Sequence, residues 1–283
     1  MESAFWDRVV AEGHKVPAGR PLADLTAELT TMLGSTDPYL RDGIAFPTLS
    51  TWISEGVYDD LLEGLGDGMT AGLAIGVGED GTDSVFRRSF SALVLAVCLE
   101  RTTTLGAGGV SHETVLGWGD RLAGWLVRER DLRGFVPGKG WAHAVAHGAD
   151  ALGELADAPA IGRLELTVLL DVVADRLLLP THARLVHGED DRLAMATMRI
   201  LRRDLVSLEV LEPWLARLAE HAVPAPQEDD AEDDPWLVTG NVQAYLRALH
   251  LQLALAPRPP ACRADLLLAL IGELKRANPH TLS

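Results

Sequence analysis

Residues 131–150 read DLRGFVPGKGWAHAVAHGAD and gather much of the chain's polar chemistry into one stretch. Arg133 and Lys139 lie in a run broken by Gly134, Pro137, Gly138 and Gly140, so a glycine-rich loop leads into a helix expected to resume at about Trp141. Open backbone N–H groups at such a helix start, with two cations beside them, suit an anion. The loop is not a phosphate-binding P-loop. Three residues rather than four separate Gly134 from Gly138-Lys139, Gly140 follows the lysine where Ser or Thr belongs, and no strand precedes.

His143, His147 and Asp150 follow at intervals of four and three, which on a continuous helix places them on one face. That spacing admits Zn²⁺ or Fe²⁺ between the imidazoles with Asp150 as third ligand. It equally admits His147 and Asp150 as an acid–base pair, or two histidines packed between helices and hydrogen-bonded to their surroundings. Alanine stands at position 144, where the zinc-protease signature has its catalytic glutamate. Metal is the weakest of these readings, and no cofactor is expected.

The elements that must position this stretch are helices. Leu, Val and Ala recur at three- and four-residue spacing over 21–33, 84–100, 160–179, 191–205 and 236–255. Asp37-Pro38 and Asp234-Pro235 each offer an N-cap followed by proline. Strand-type alternation between hairpin dipeptides is missing, so the chain reads as all-α with eleven or twelve helices. Residues 64–81 are the doubtful segment, because their glycines weaken a helix.

A short Asp/Arg signature recurs in DPYLRD (37–42), SVFRRS (84–89), DLRG (131–134), EDDRL (189–193) and NVQAYLRAL (241–249), at spacings of about 45–55 residues. One helical hairpin of the HEAT or armadillo kind occupies about that length. A single stacked α-solenoid over 1–283 follows, with the acidic run 224–235 a surface loop before capping helices. In such a stack Arg87, Arg88, Arg133, Lys139 and Arg192 occupy corresponding helix starts. Glu189, Asp191 and Arg192 are expected to approach the His143/His147 face beside Trp141.

Composition narrows the function. A net charge of −16, from 41 acids against 25 Lys and Arg, opposes nucleic-acid binding, which needs phosphate-neutralising cations, and opposes an anionic membrane surface. No apolar run reaches the length of a membrane span. Two cysteines without metal-type spacing and an acidic start without a hydrophobic signal core point to a reducing cytoplasm. The oligomeric state is left open.

VFRRSFSALVLA, DLRGFVPGKGWAHAVAHGADAL, GEDDRLAMA and the Asn-x-x-x-Tyr-Leu-Arg of NVQAYLRAL together resemble the bacterial family called domain of unknown function 2785, over roughly residues 30–255. The resemblance implies an all-helical, HEAT-like protein and brings no activity with it. Two functions remain open. One is a binding protein whose polar groove takes a small anionic or polar molecule or a peptide. The other is an enzyme using His143 or His147 as base, with Arg133, Lys139 or Arg192 stabilising developing negative charge.

Overall fold

The computed structural model describes residues 2–223, 234, 236–278 and 280–282. The acidic run 224–233 and Pro235 lie outside the described residues. Twelve α-helices dominate what is described: α1 (Glu2–Ala11), α2 (Leu22–Met32), α3 (Phe46–Ser54), α4 (Leu62–Leu73), α5 (Ser84–Leu105), α6 (His112–Arg128), α7 (Ala144–Asp157), α8 (Arg163–Leu178), α9 (Glu189–Arg202), α10 (Leu208–Glu220), α11 (Trp236–Leu255) and α12 (Arg263–Ala277). The protein is all-α, as the apolar periodicity requires. No described helix is long and apolar enough to cross a membrane.

Two departures from the expected pattern matter. Tyr39–Ala45 forms a π-helix running directly into α3; Asp37 caps its start, accepting the Tyr39 N–H at 2.8 Å. A small antiparallel hairpin, β1 (Phe135–Val136) paired with β2 (Gly140–Trp141), stands where only a loop was expected. Its turn is Val-Pro-Gly-Lys, closed by Lys139 N–H to Val136 O at 3.0 Å. Proline presets φ at the first turn position and Gly138 supplies φ +76° at the second, which is the chemistry of a type II turn.

Two compact units make up the chain, Met1–Ala160 and Ile161–Ser283. In the first, α5 is the central helix and packs against α3, α4 and α7, while α6 covers α4 and α7. Its buried side chains include Phe86, Phe90, Leu95 and Leu99. The doubtful glycine-rich segment 64–81 is helical as far as Leu73, within α4, and turn and loop beyond it; in the helical part the glycines permit close packing. An added Cβ at Gly66 would sit 2.1 Å from the Trp118 ring, and one at Gly72 would sit 2.1 Å from Ser91 Oγ. In the second unit α9 packs on α11, α10 on α12 and α8, and α11 on α12. Thr197 and Tyr245 join α9 to α11 through a 2.7 Å hydroxyl contact.

Candidate functional site

The hairpin and the start of α7 form one continuous hydrogen-bonded piece, held by groups far away in sequence. Pairing continues beyond the two short strands, with Ala142 N–H to Gly134 O at 2.8 Å and His143 N–H to Arg133 O at 3.1 Å. Arg41, on the π-helix, is fully buried and donates to Lys139 O at 2.8 Å and to Ser35 O at 2.7 Å. Its guanidinium lies 4.2 Å from the Phe86 ring centre and 4.9 Å from that of Phe90, a cation–π placement in a desolvated setting. Burial pulls its pKa below the usual arginine value, opposed by the Asp42 carboxylate. Gly140 is required where Arg41 approaches. Its φ is +78°, and a Cβ there would meet Pro38 at 3.0 Å and Arg41 at 3.1 Å.

Four of the expected cations, Arg87, Arg88, Arg133 and Lys139, belong to the first unit, and the structure shows what each one holds. Arg88 is fully buried and grips Glu129 with both arms of its fork, Nε to Oε2 at 2.5 Å and NH2 to Oε1 at 2.9 Å. Its remaining arm donates to Ile75 O, Gly76 O and Ser84 Oγ. Glu129 also accepts from Trp125 Nε1 at 2.9 Å and from the Arg130 and Asp131 N–H groups at 3.0 Å.

Arg133 is clamped to buried Asp131, at 2.6 Å from NH2 to Oδ2, and donates to Thr82 O at 2.7 Å. Hydrogen bonding to Asp131 raises the Arg133 pKa, against the effect of burial. Lys139 meets both oxygens of Asp83 at 2.6 and 2.8 Å. Arg87, adjacent to Arg88, turns to the end of α2, where it donates to Thr30 O. These side chains tie the hairpin to the 79–84 turn and α5, and each of Arg88, Arg133 and Lys139 has its acid.

At the base of the hairpin, Ser89 Oγ donates to Ala142 O and lies 2.7 Å from His147 Nδ1. A serine hydroxyl has one proton. With that proton on the carbonyl, Oγ accepts from Nδ1–H, which fixes the imidazole tautomer. This direction is opposite to that of an activated serine, whose proton must pass to the imidazole. Ser89 is buried, and its oxygen joins Ala142 O to the His147 ring.

The one-face picture of His143, His147 and Asp150 needs correction. Helix α7 starts at Ala144, not Trp141, and His143 is its N-cap in a left-handed conformation, φ 53° and ψ 34°. Geometry nevertheless brings the two rings near each other, with centres 5.9 Å apart and planes at 77°. Asp150 sits half-buried on α7. Among the described residues no three His, Cys, Asp or Glu side chains are grouped to hold a metal ion.

His143 instead stacks on Trp141, centres 4.4 Å apart and planes at 23°. Trp141 meets Phe135 across the hairpin edge-on at 5.2 Å, and His147 meets Phe90 edge-on at 5.1 Å. Aromatic rings thus run from the surface, where Phe135 is 49% and Trp141 41% exposed, down to the core beside Arg41.

Glu189, Asp191 and Arg192 belong to the second unit and open α9. Glu189 is buried and accepts the His187 N–H at 2.8 Å. Asp191 and Arg192 are exposed. Asn241, in the fifth signature segment, is buried on α11 and binds the loop before α9 through Leu185 N–H at 2.9 Å and Ala183 O at 3.1 Å.

Sequence reasoning singled out the cations, marked Asp131 only as the start of the DLRG signature, and passed over the partners Asp83 and Glu129 and the roles of Ser89 and Arg41. Arg41 stood inside the DPYLRD signature. The acids of RERDLRG were legible as possible partners for the nearby arginines.

Fold and site define an all-helical protein with a hairpin-borne aromatic and imidazole edge braced by buried ion pairs. A family model described as "Protein of unknown function (DUF2785)" matches residues 73–251, more than half of the chain, and the chain belongs to that family. No curated protein and no solved structure matches it.

Proposed function

We propose that the protein is a binding module whose ligand seat is the hairpin edge of Phe135, Trp141 and His143, on a HEAT-like stack of helices. The stacking reading rests on packing within each unit, where helices meet the next but one: α3 with α5, α5 with α7, α4 with α6, and then α8 with α10, α9 with α11, α10 with α12. The single observation behind the seat is Trp141, 41% exposed yet stacked at 4.4 Å on a histidine whose backbone is fixed. Large aromatics held out towards solvent on a rigid frame are how proteins grip planar groups at low entropic cost.

The ligand is a small polar molecule, or a peptide, with a planar group that extends the ring stack. Half-exposed Arg133 and Lys139 already have acids. An anionic ligand therefore competes with Asp131 and Asp83, and a neutral polar one does not. Ser89 spends its proton on Ala142 O, which speaks against a serine nucleophile beside His147.

The test is ligand-observed NMR with a set of small planar polar molecules and short aromatic peptides. Binders should be lost in Trp141→Ala and retained in Trp236→Ala, which removes another exposed indole (49%). Binders that persist in Trp141→Ala would place the seat elsewhere.

A further inference from the structure

A second polar concavity lies away from the hairpin edge, between α4 and α6. Its cavity volume is about 430 Å³, within the ordinary range for small-molecule sites. The α6 wall carries Arg121, Trp125 and Arg128, and the α4 wall carries Asp67, Thr70 and Ala74 among its lining residues. Arg121 and Arg128 are seven residues apart, two helical turns or roughly 10 Å on one face, with Trp125 between them.

Trp125 is almost fully buried and sends its N–H inward to Glu129, so the cleft meets indole carbon rather than a polar edge. Small Ala71 and Ala74 leave room opposite. The floor is therefore apolar, with Arg128 at one end and the Arg121–Asp67 pair at the other.

The two arginines differ in what they hold. Arg121 donates to Thr70 Oγ1 at 3.0 Å and meets Asp67 only at 3.4 Å. Arg128 is exposed and donates Nε to Gly124 O at 2.7 Å. No described carboxylate forms an ion pair with it, in a chain where acids outnumber Lys and Arg by 41 to 25.

The second unit supplies a contrast. Its cleft between α8 and α10, about 350 Å³, also carries a tryptophan and an arginine, Trp214 and Arg217. There Arg217 is taken by Asp175 at 2.5 Å and Asp171 at 3.6 Å, and Glu209 adds further negative charge to the lining. Two clefts of similar construction thus have opposite electrostatic character.

We infer that the α4/α6 cleft binds a small carboxylate with an apolar, planar body, its carboxylate on Arg128 and its body against Trp125, Leu73 and Ala74. The forked guanidinium matches a carboxylate in two parallel hydrogen bonds. The site is separate from the hairpin seat and does not depend on it.

The experiment is titration calorimetry of the full chain with benzoate, compared with benzyl alcohol, which keeps the body without the charge, and inorganic phosphate, which keeps charge without the body. Benzoate should bind saturably and at least tenfold more tightly than either. Arg128→Gln, at an exposed position outside any ion pair among the described residues, should weaken benzoate at least tenfold. Arg217→Gln and Trp141→Ala should leave it unchanged. Absence of saturable benzoate binding, or benzoate binding equally well in Arg128→Gln, overturns the assignment; loss in Trp141→Ala alone moves the carboxylate to the hairpin seat and overturns it too.

Discussion

Glu129→Ala removes the acceptor of five donors at once: two arms of Arg88, the Trp125 indole and the Arg130 and Asp131 amides. Arg88 stays fully buried with its charge, keeping only the neutral acceptors Ile75 O, Gly76 O and Ser84 Oγ. Removing one partner of a buried pair costs about 3–5 kcal/mol, because the survivor is desolvated and uncompensated. The two amides lie just past the end of α6 and recover part of their bonding from water, so a loss of about 4 kcal/mol is expected. With a urea dependence of about 2 kcal/mol per molar, the midpoint should fall by about 2 M. Tryptophan fluorescence suits the measurement, since five of the seven indoles (Trp6, Trp52, Trp118, Trp125, Trp141) are in the first unit. The double variant Arg88→Met with Glu129→Leu removes both charges and should recover most of the loss, as apolar replacements of buried pairs are often neutral. A midpoint shift below about 0.5 M in Glu129→Ala, or a double variant worse than the single, would refute the view that this pair is dry and mutually dependent.

Other expectations follow from single contacts. Proton–nitrogen NMR should find the neutral His147 ring protonated at Nδ1, and Ser89→Ala should shift that resonance; a ring protonated at Nε2 would contradict the hydrogen-bond direction drawn from Ala142 O. Gly66→Ala should destabilise by about 1–3 kcal/mol through overlap with Trp118, whereas Gly68→Ala on the same helix meets open space and should gain up to about 1 kcal/mol, both read from thermal unfolding. Arg20 foremost, with the Trp6 indole, holds the Glu28 carboxyl below its ordinary value, against a weaker effect of burial. That contribution is present above the unfolded carboxyl pKa and is lost as pH falls through the lower folded one. Glu28→Gln should therefore flatten the acid limb of a stability-against-pH curve and leave its alkaline limb alone.

The helices were legible because burial imposes its period on the sequence. The stretch 84–100 becomes α5 and 236–255 becomes α11 with matching starts. Glycine misled in two opposite ways. In α4 glycines read as weakness but serve contact, since Gly66 and Gly72 sit against Trp118 and Ser91. In 134–140 they read as a formless loop, yet Pro137-Gly138 makes a turn that two-residue strands and remote anchors turn into a hairpin. The site was half legible. Residue type identified the cations and imidazoles, but the partner that decides a cation's role is a tertiary fact: Glu129 lies 41 residues from Arg88, and Lys139 lies 56 from Asp83. His143 illustrates the same limit, because a helix continued by counting runs through a residue that the chain places in a left-handed turn.

The span of those anchors has a kinetic consequence. Two-residue strands do not hold together unaided in water, and the braces of this hairpin reach back 98 residues to Arg41, 53 to Ser89 and 50 to Gly81. Closing such loops costs chain entropy before any contact repays it. The hairpin should therefore order late, after α5 has docked against the π-helix, and it should be among the first parts to open. Hydrogen exchange at the Lys139 and Ala142 amides would then time the assembly of the N-terminal helices. Damage to residues 35–41 would show itself at a surface nearly a hundred positions downstream.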